Sequence, residues 1–468
     1  MKIVVCIRRG RDGEINPFDA CAYEAALNIP DAEIILLSMG VASTGPFLLE
    51  LTRLGATKAI LLTDKMFVGS DTLATAYVLS KAMEKIKPDL VICGRQTLEG
   101  DTAQTGPMLA TLCGYFLVTN VMQLHCVDER VICNTRAEGE QAATYPALIT
   151  VERYNQLRFP SIRSKCGTLE IWDANELHVD SERCGLSGSP TRVLEITENH
   201  SGKRKCKFSE LNKLNEIVKK CFELSKPSHD DPAKTGNKLE KVFVVGKQVL
   251  PFAKTISDDI TVLDRNEAIH IADIIVRENP SAVLWGSDSW SKRVSAQVAA
   301  LLKLGLCADC TSLETDGETL FMHRPALAGS VMAKVKCLTR PAMATVRTIE
   351  DGEQNIVLAV GYGACKYVEK LKHIAEEYSV QMVTTRKMVN NGFLPYEKQV
   401  GLTGKRISPN IYIAIGVSGA VHHIVGMEQA NVVIAINSDK NAPIFEYADY
   451  GVVASVEEVL EEYERNSN

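Results

Sequence analysis

The sequence predicts an α/β protein of three doubly wound parallel-sheet domains, two of them related by an internal repeat. First, short β-branched apolar runs alternate with longer helical patterns along the 468 residues. Second, a segment rich in Pro, Gly and charge at 225–238 separates two such series, as a linker does. Third, both series contain a similar strand–loop–helix segment, ending at Gln104 in one and at Gln297 in the other.

The first series starts at the amino terminus. Its apolar runs at 3–7, 34–37, 59–62 and 90–93 are typical of buried parallel strands. A helix is expected over 73–86, because Leu79, Ala82, Met83 and Ile86 share one face, with Asp71 as its N-cap. Strand, helix and strand in this order indicate a doubly wound sheet.

The later series repeat this pattern. Strands are expected at 242–245, 261–263 and 282–285, followed by a hairpin whose turn is Asp316–Gly317. A third α/β region begins near Asn355, with strands at 411–415 and 432–436. The expected domains are 1–224, 239–348 and 349–468, with 225–238 as the linker.

Composition limits the function. The chain is 46% hydrophobic and 24% charged with a net charge of -6, which argues against generic nucleic-acid binding. No apolar stretch is long enough for a signal peptide or membrane insertion, so a cytoplasmic protein is expected. The single C-x-x-C, Cys307 and Cys310, lacks further ligands at comparable spacing, so no metal site is expected.

Glycine turns after the late strands are candidate phosphate sites. Gly416, Ser418 and Gly419 link a strand to a helix, although such turns also need glycine for structural reasons alone. A hydrolase would require G-x-S-x-G, which this turn lacks. Gly361-x-Gly363 is a poor dinucleotide fingerprint, because Lys366 stands where the third glycine belongs.

Other polar segments leave two interpretations open. In one interpretation, the loop 399–405 and Arg386 bind a phosphate or a planar polar ring. In the other, the loop is a solvated turn and Arg386 is a surface arginine. His422 and His423 are more often capping or core residues than functional ones. In 100–107, Asp101 is equally a nucleotide contact and a helix cap.

Taken together, these segments resemble the electron-transfer flavoproteins. Residues 1 to about 225 look like the small β subunit, and residues from about 240 like the large α subunit, so the chain looks like a β-α fusion. The motifs that carry the resemblance are I-N-P-F-D, C-G-R-Q-T-L-E-G-D-T-A-Q-T-G, A-D-C-T-S-L, R-P-A-L-A-G-S-V-M-A, Q-V-G-L-T-G-K, I-G-V-S-G-A-V-H-H and A-I-N-S-D-K-N-A-P-I-F.

The resemblance implies FAD in the last domain, with Arg386 and His423 beside the flavin in the catalytic role. It also implies an AMP site, or a second FAD, in the β-like part. The expected FAD-binding residues are Thr385, Arg386, Gln399, Val400, Gly401, Thr403, Gly404, Ser418, Gly419, Ala420, His422, His423, Asn437, Asp439 and Asp449. The expected residues of the second site are Ile7, Asp101, Ala103, Gln104, Thr105 and Gly106.

The family's function would be to carry electrons one at a time from a flavin-dependent dehydrogenase, of the acyl-CoA dehydrogenase type used in fatty acid β-oxidation. The dehydrogenase would dock at the loop around Ile162, and a quinone reductase, ferredoxin or flavodoxin would be the acceptor. The alternatives are an electron-bifurcating protein with two FADs that oxidises NADH, and a nucleotide-binding regulatory or adenylate-hydrolysing protein. Tyr362, Leu402 and His422 depart from the family motifs, and the domain hinge is expected at 349–354.

Overall fold

A computed structural model describes residues 1–136, 138–198, 203–224, 237–327, 331–347, 356–401 and 404–467. The chain divides into two compact units. The first unit comprises Met1–Ile196, Lys234–Leu327 and Ala333–Arg347, and the second comprises Thr197–Ala233, Ala328–Met332 and Thr348–Asn468. The expected linker lies mostly, and the expected hinge entirely, outside the described residues.

The first part of the chain alternates strands and helices as expected. Its elements are β1 (Lys2–Cys6), α1 (Pro17–Leu27), β2 (Glu33–Met39), α2 (Gly45–Leu51), β3 (Lys58–Leu62), α3 (Thr72–Ile86), β4 (Leu90–Gly94), α4 (Thr105–Cys113), β5 (Phe116–Val127), β6 (Arg130–Thr135), β7 (Gly139–Thr144), β8 (Ala147–Val151), β9 (Thr168–Trp172) and β10 (Thr191–Glu198). The expected cap of α3 is confirmed, because the Asp71 carboxylate accepts hydrogen bonds of 3.0 Å from the amides of Leu73 and Ala74.

Nine of these strands form one sheet in the order β7-β6-β5-β8-β4-β1-β2-β3-β9. Along the order β5-β8-β4-β1-β2-β3-β9, each strand is parallel to its neighbour, whereas β5–β6 and β6–β7 are antiparallel. The chain leaves β1 towards β2 on one side and returns to β4 on the other. The carboxyl ends of β1 and β4 therefore form a topological switch point, where α/β sheets bind ligands.

The next part repeats this topology. Its elements are β11 (Lys207–Ser209), α5 (Leu214–Leu224), β12 (Val242–Val245), α6 (Leu250–Ile256), β13 (Ile260–Leu263), α7 (Ala268–Glu278), β14 (Ala282–Trp285), α8 (Ser289–Leu302), β15 (Leu306–Cys310), β16 (Ser312–Thr315), β17 (Leu320–Ala326), β18 (Val331–Cys337) and β19 (Ala342–Val346). A five-stranded sheet has the order β13-β12-β14-β19-β15, which matches β2-β1-β4-β8-β5 of the first sheet. The expected internal repeat is confirmed.

The two copies differ after the matching strands β4 and β14. In the first copy, residues between β4 and α4 form a long loop, and Gln104 only precedes the helix. In the second copy, α8 starts soon after β14, where Asp288 caps it by accepting from the Ser291 amide at 3.1 Å, so Gln297 lies inside the helix. The first copy alone therefore has an open loop beside the switch point.

A four-stranded sheet of order β10-β18-β17-β16 lies mostly within the first unit. It contains the expected hairpin, in which β16 and β17 pair antiparallel around the Asp316–Gly317 turn. The Asp316 side chain accepts from the amides of Glu318 and Thr319, which fixes the turn.

The second unit is a further doubly wound domain. Its remaining elements are β20 (Ile356–Val360), α9 (Val368–Glu377), β21 (Gln381–Thr384), α10 (Arg386–Asn390), β22 (Ile411–Ile415), α11 (Val421–Met427), β23 (Val432–Asn437), β24 (Tyr450–Val453) and α12 (Val456–Ser467). The six-stranded sheet has the order β11-β24-β23-β22-β20-β21, and its five strand pairs are all parallel. Its switch point lies between β20 and β22.

Residues 203–224, assigned from sequence to the first domain, belong to this second unit. The strand β11 forms the edge of the sheet beside β24, and the buried Cys221 of α5 packs against Ile411 and Ile434. Across the part of the chain that the structure describes, no helix combines the length and apolarity needed to cross a membrane.

Candidate functional site

A cavity of about 370 Å³ lies at the switch point of the first unit. It is bounded by the carboxyl ends of β1 and β4 and by the loop that precedes α4. Of the six residues expected there, Ile7, Ala103, Gln104, Thr105 and Gly106 line the cavity. The structure brings these five residues together at one cavity.

Asp101, the sixth expected residue, lies beneath the cavity wall. It is buried, and its carboxylate accepts a hydrogen bond from the Gln96 side chain. Burial, together with the nearby charge of Asp309, raises the pKa of Asp101. Asp101 thus supports the loop from inside and does not line the cavity.

Asp19, which was not among the expected site residues, lines the same cavity. Its carboxylate accepts from the Arg8 amide at 2.7 Å, and a Cβ atom at Gly94 would overlap it. Burial raises the pKa of Asp19 to about 7, so this carboxyl titrates near neutral pH. The signal in the sequence was an acidic residue within the otherwise apolar start of α1.

Two thiols share the floor of the cavity. Cys6 and Cys93 are register partners on β1 and β4, and both line the cavity. A hydrogen bond between the thiols and burial raise the pKa of Cys93 well above its ordinary value. Among the described residues, no group of three or more His, Cys, Asp and Glu side chains is placed to hold a metal ion.

In the second unit, glycine turns meet at the switch point between β20 and β22. The Gly363 amide donates to the Gly416 carbonyl at 3.0 Å, and a Cβ atom at Gly361 would overlap that carbonyl. Gly416 has a φ of 63°, a conformation that suits glycine. The two turns therefore pack backbone against backbone where the two strands end.

The turn after Gly416 carries three of the expected FAD-binding residues. Ser418 and Ala420 are exposed, and Gly419 has a φ of 85° with no room for a Cβ atom beside the Ile444 backbone. Asn437, at the end of β23, donates from its side chain to the Val417 carbonyl at 2.9 Å. Asp439 follows it and is exposed.

The remaining loops approach from the side of β21. Thr385 precedes α10 and Arg386 begins it, and both are half-buried. The Val400 amide donates to the Thr384 carbonyl at 2.9 Å, which fixes the loop that also carries Gln399, Gly401 and Gly404. Thr403, with Leu402, lies outside the described residues.

His423 lies in the core behind this loop. Its Nδ1 donates to the Val400 carbonyl at 3.0 Å, so its Nε2 accepts from the Tyr412 hydroxyl at 2.8 Å. Burial lowers the pKa of His423 to about 4, so the ring is neutral at pH 7. Both ring nitrogens thus bond to protein atoms, and the neighbouring His422 is half-buried.

Asp449 is not brought together with the other expected FAD-binding residues. It precedes β24, where its carboxylate pairs with Arg204 and accepts from the Val433 amide at 2.8 Å. Val433 lies at the start of β23, and Asn437 at its end. Because the strands are parallel, Asp449 lies at the amino edge of the sheet, opposite the glycine turns, and supports the edge strand.

Comparisons with known proteins match two family domains to this chain. The electron transfer flavoprotein domain matches residues 3–177 and 262–354, together more than half of the chain, and the electron transfer flavoprotein FAD-binding domain matches 352–428. The first match contains the cavity loop, and the last contains the glycine turns and Arg386.

Similar proteins include ones named FixA or electron transfer flavoprotein subunit beta, and others named FixB. Protein FixA of Azorhizobium caulinodans is 36% identical over 48% of this chain and 89% of its own length. Electron transfer flavoprotein subunit beta of Megasphaera elsdenii is 39% identical over 41% of this chain and 77% of its own length. Protein FixB of Rhizobium meliloti is 30% identical over 47% of this chain and 75% of its own length. With a repeated fold and matches over most of its length, the chain belongs to the electron transfer flavoprotein family.

Proposed function

We propose that the protein is a flavin electron carrier that binds one FAD in the second unit and one AMP in the first. The match of the FAD-binding domain to residues 352–428 carries this proposal. The glycine turns suit the group, because they follow β20 and β22 at the switch point of an open α/β sheet, and Ser418 and Ala420 are exposed there. When bound, FAD would take up a pair of electrons and release them singly.

The chain's own residues would hold and tune the flavin. Arg386, at the edge of the site, supplies positive charge that favours a reduced, anionic ring. His423 is neutral, so its contribution is to fix the Val400 carbonyl and, with it, the loop of Gln399 and Gly401. The positive charge at this site therefore comes from Arg386 and not from His423.

The cavity of the first unit favours AMP over a second FAD. Its volume of about 370 Å³ is near the lower limit for ligand pockets, which suits a mononucleotide. The first-turn amides of α4 would meet the phosphate, since they have no partner within the helix. A second FAD here would correspond to the bifurcating alternative.

The loop around Ile162 would dock the electron donor. Phe159 is 95% exposed and Ile162 is 99% exposed, which is unusual for large apolar side chains outside an interface. We propose a flavin-dependent dehydrogenase of the acyl-CoA dehydrogenase type as the partner, with a quinone reductase, ferredoxin or flavodoxin as acceptor. The FAD-bearing domain would face first the electron donor and then the electron acceptor.

The chain would be a fusion of the two subunit types. The same domain matches it twice, and relatives named as the beta subunit and as FixA or FixB each cover less than half of it. The domains 1–224, 239–348 and 349–468 remain our proposal for the evolutionary units, although 203–224 packs with the last of them.

The experiment is to release and quantify the nucleotides of the purified protein. One FAD and one AMP per chain, with no bleaching by NADH under anaerobic conditions, would support the simple carrier. Two FADs per chain and bleaching by NADH would favour the bifurcating alternative. A colourless protein that takes up no FAD when reconstituted would refute both, because neither has a redox centre without flavin.

A further inference from the structure

The side chain of Arg324 crosses from β17 to the loop that precedes α4. Its Nη2 donates to the Gly100 carbonyl at 2.7 Å and more weakly to the Asp101 carbonyl at 3.4 Å. Arg324 is 9% exposed and lines the first-unit cavity. A residue more than 200 positions away along the chain therefore supports the wall of this cavity.

The supported loop has an uncommon conformation. Asp101 and Ala103 have φ values of 52° and 56°, in the left-handed region that non-glycine residues seldom adopt. Such residues persist only where their surroundings hold them. The bonds from Arg324, the bond from Gln96 to the Asp101 side chain, and the Leu327 amide bonded to the Glu99 carbonyl at 3.2 Å provide that support.

The loop delivers the amino end of α4 to the cavity. This helix has nine residues, and Thr105 and Gly106, whose first-turn amides have no partner within the helix, line the cavity together with Gln104. Gln104 is 1% exposed, and its Nε2 has no hydrogen-bond partner among the described residues. A buried donor without a partner beside these amides points to an acceptor-rich ligand group.

We propose that Arg324 is a positioning residue for the phosphate end of a nucleotide bound in the first-unit cavity. It holds the loop 100–104, so that the first turn of α4 faces the phosphate. This inference rests on the proposed function of the cavity and adds a residue from the α-like part of the chain to a site in the β-like part.

The test compares two ligands and three variants. AMP and adenosine are titrated calorimetrically into nucleotide-free protein, as wild type, Arg324→Met, Arg324→Lys and the control Arg340→Met. Arg340 is exposed and pairs with Glu240, away from the cavity lining. Arg324→Met should weaken AMP about tenfold and adenosine less than about twofold, because the displaced amides contact only the phosphate. Arg324→Lys, which keeps the charge and one donor, should recover part of the loss.

Hydrogen exchange gives a second readout that needs no ligand. Peptides covering 97–106 should exchange faster in Arg324→Met than in Arg340→Met, while β1 and β4 stay protected. Unchanged exchange in this loop, or equal weakening of AMP and adenosine, would overturn the role of Arg324. If the wild type binds neither AMP nor FAD in this cavity, the proposed function fails, and exchange still decides whether Arg324 holds the loop.

Discussion

The buried ring of His423 should make the second unit sensitive to acid. The pKa is about 4 in the folded chain and 6.5 for an ordinary histidine, so between these values the unfolded chain binds a proton that the folded chain does not. Stability then falls by about 1.4 kcal/mol for each pH unit below 6.5. Lowering the pH from 7 to 5 should therefore remove about 2 kcal/mol from this unit, and most of the loss should be complete at pH 4.

The assay must report on the second unit alone. Trp172, Trp285 and Trp290 all belong to the first unit, so tryptophan fluorescence does not serve. Hydrogen exchange of peptides from β22 and α11, measured at pH 7 and pH 5 and corrected for the intrinsic rate, gives the local free energy of opening.

Two variants separate His423 from other acid effects. His423→Gln removes the titrating group and should flatten the loss between pH 7 and 5, although it lowers stability at pH 7 by about 1–3 kcal/mol through lost hydrogen bonds. His373→Gln, at an exposed position of α9, should behave like the wild type. Equal losses in wild type and His423→Gln, or an imidazole signal of His423 that titrates near pH 6.5, would refute the reasoning.

Three further predictions follow from the two units. Gly419→Ala should lose FAD and lower the melting temperature, because its Cβ atom overlaps the Ile444 backbone. Gly392→Ala, also at positive φ but with open space around its Cβ atom, should retain FAD. Equal FAD content in both variants would contradict a role of the Gly419 turn in FAD binding. The wild type should lose up to about 3 kcal/mol of stability as the pH rises from 4.5 to 7, because the folded Asp19 carboxyl keeps its proton to about pH 7 while the unfolded one loses it near 3.8. Asp19→Asn should not show this loss. Urea unfolding followed by tryptophan fluorescence measures the difference, and parallel pH curves for the two proteins would refute the prediction. Ile162→Ser should leave the melting temperature unchanged and slow flavin reduction by a dehydrogenase at least about tenfold, and unaltered reduction would exclude this loop as the docking site.

Local patterns in the sequence predicted most elements of the fold. The cap at Asp71, the turn at Asp316–Gly317 and the apolar strands depend on neighbouring residues, so the sequence alone sufficed. The start of α8 at Ser289 was not predicted, because the segment 287–291 occupies the place of the loop in the first copy. Asp288 caps a helix there, and that contact is visible only in three dimensions.

The sites were predicted less completely, for a physical reason. Motif spacing placed the glycines in the turns after β20 and β22 and placed Gln104 just before α4, because these positions depend on the local order of strand, turn and helix. It did not find Arg324, although this residue begins the motif R-P-A-L-A-G-S-V-M-A, because its hydrogen-bond partner Gly100 is more than 200 residues away. Asp449 was misplaced, because its position after a strand-like motif does not reveal at which edge of a parallel sheet it lies.

The two units also differ in when they can form during synthesis. Residues 203–224 leave the ribosome well before the strands that cover them, since β22, β23 and β24 are translated last. Until β22 and β23 have emerged, α5 has no sheet against which to bury Cys221, and until residue 453 has emerged, β11 has no neighbouring strand. A nascent chain stalled after residue 224 should therefore recruit a holdase chaperone to this segment, and completing the carboxyl-terminal domain should release it.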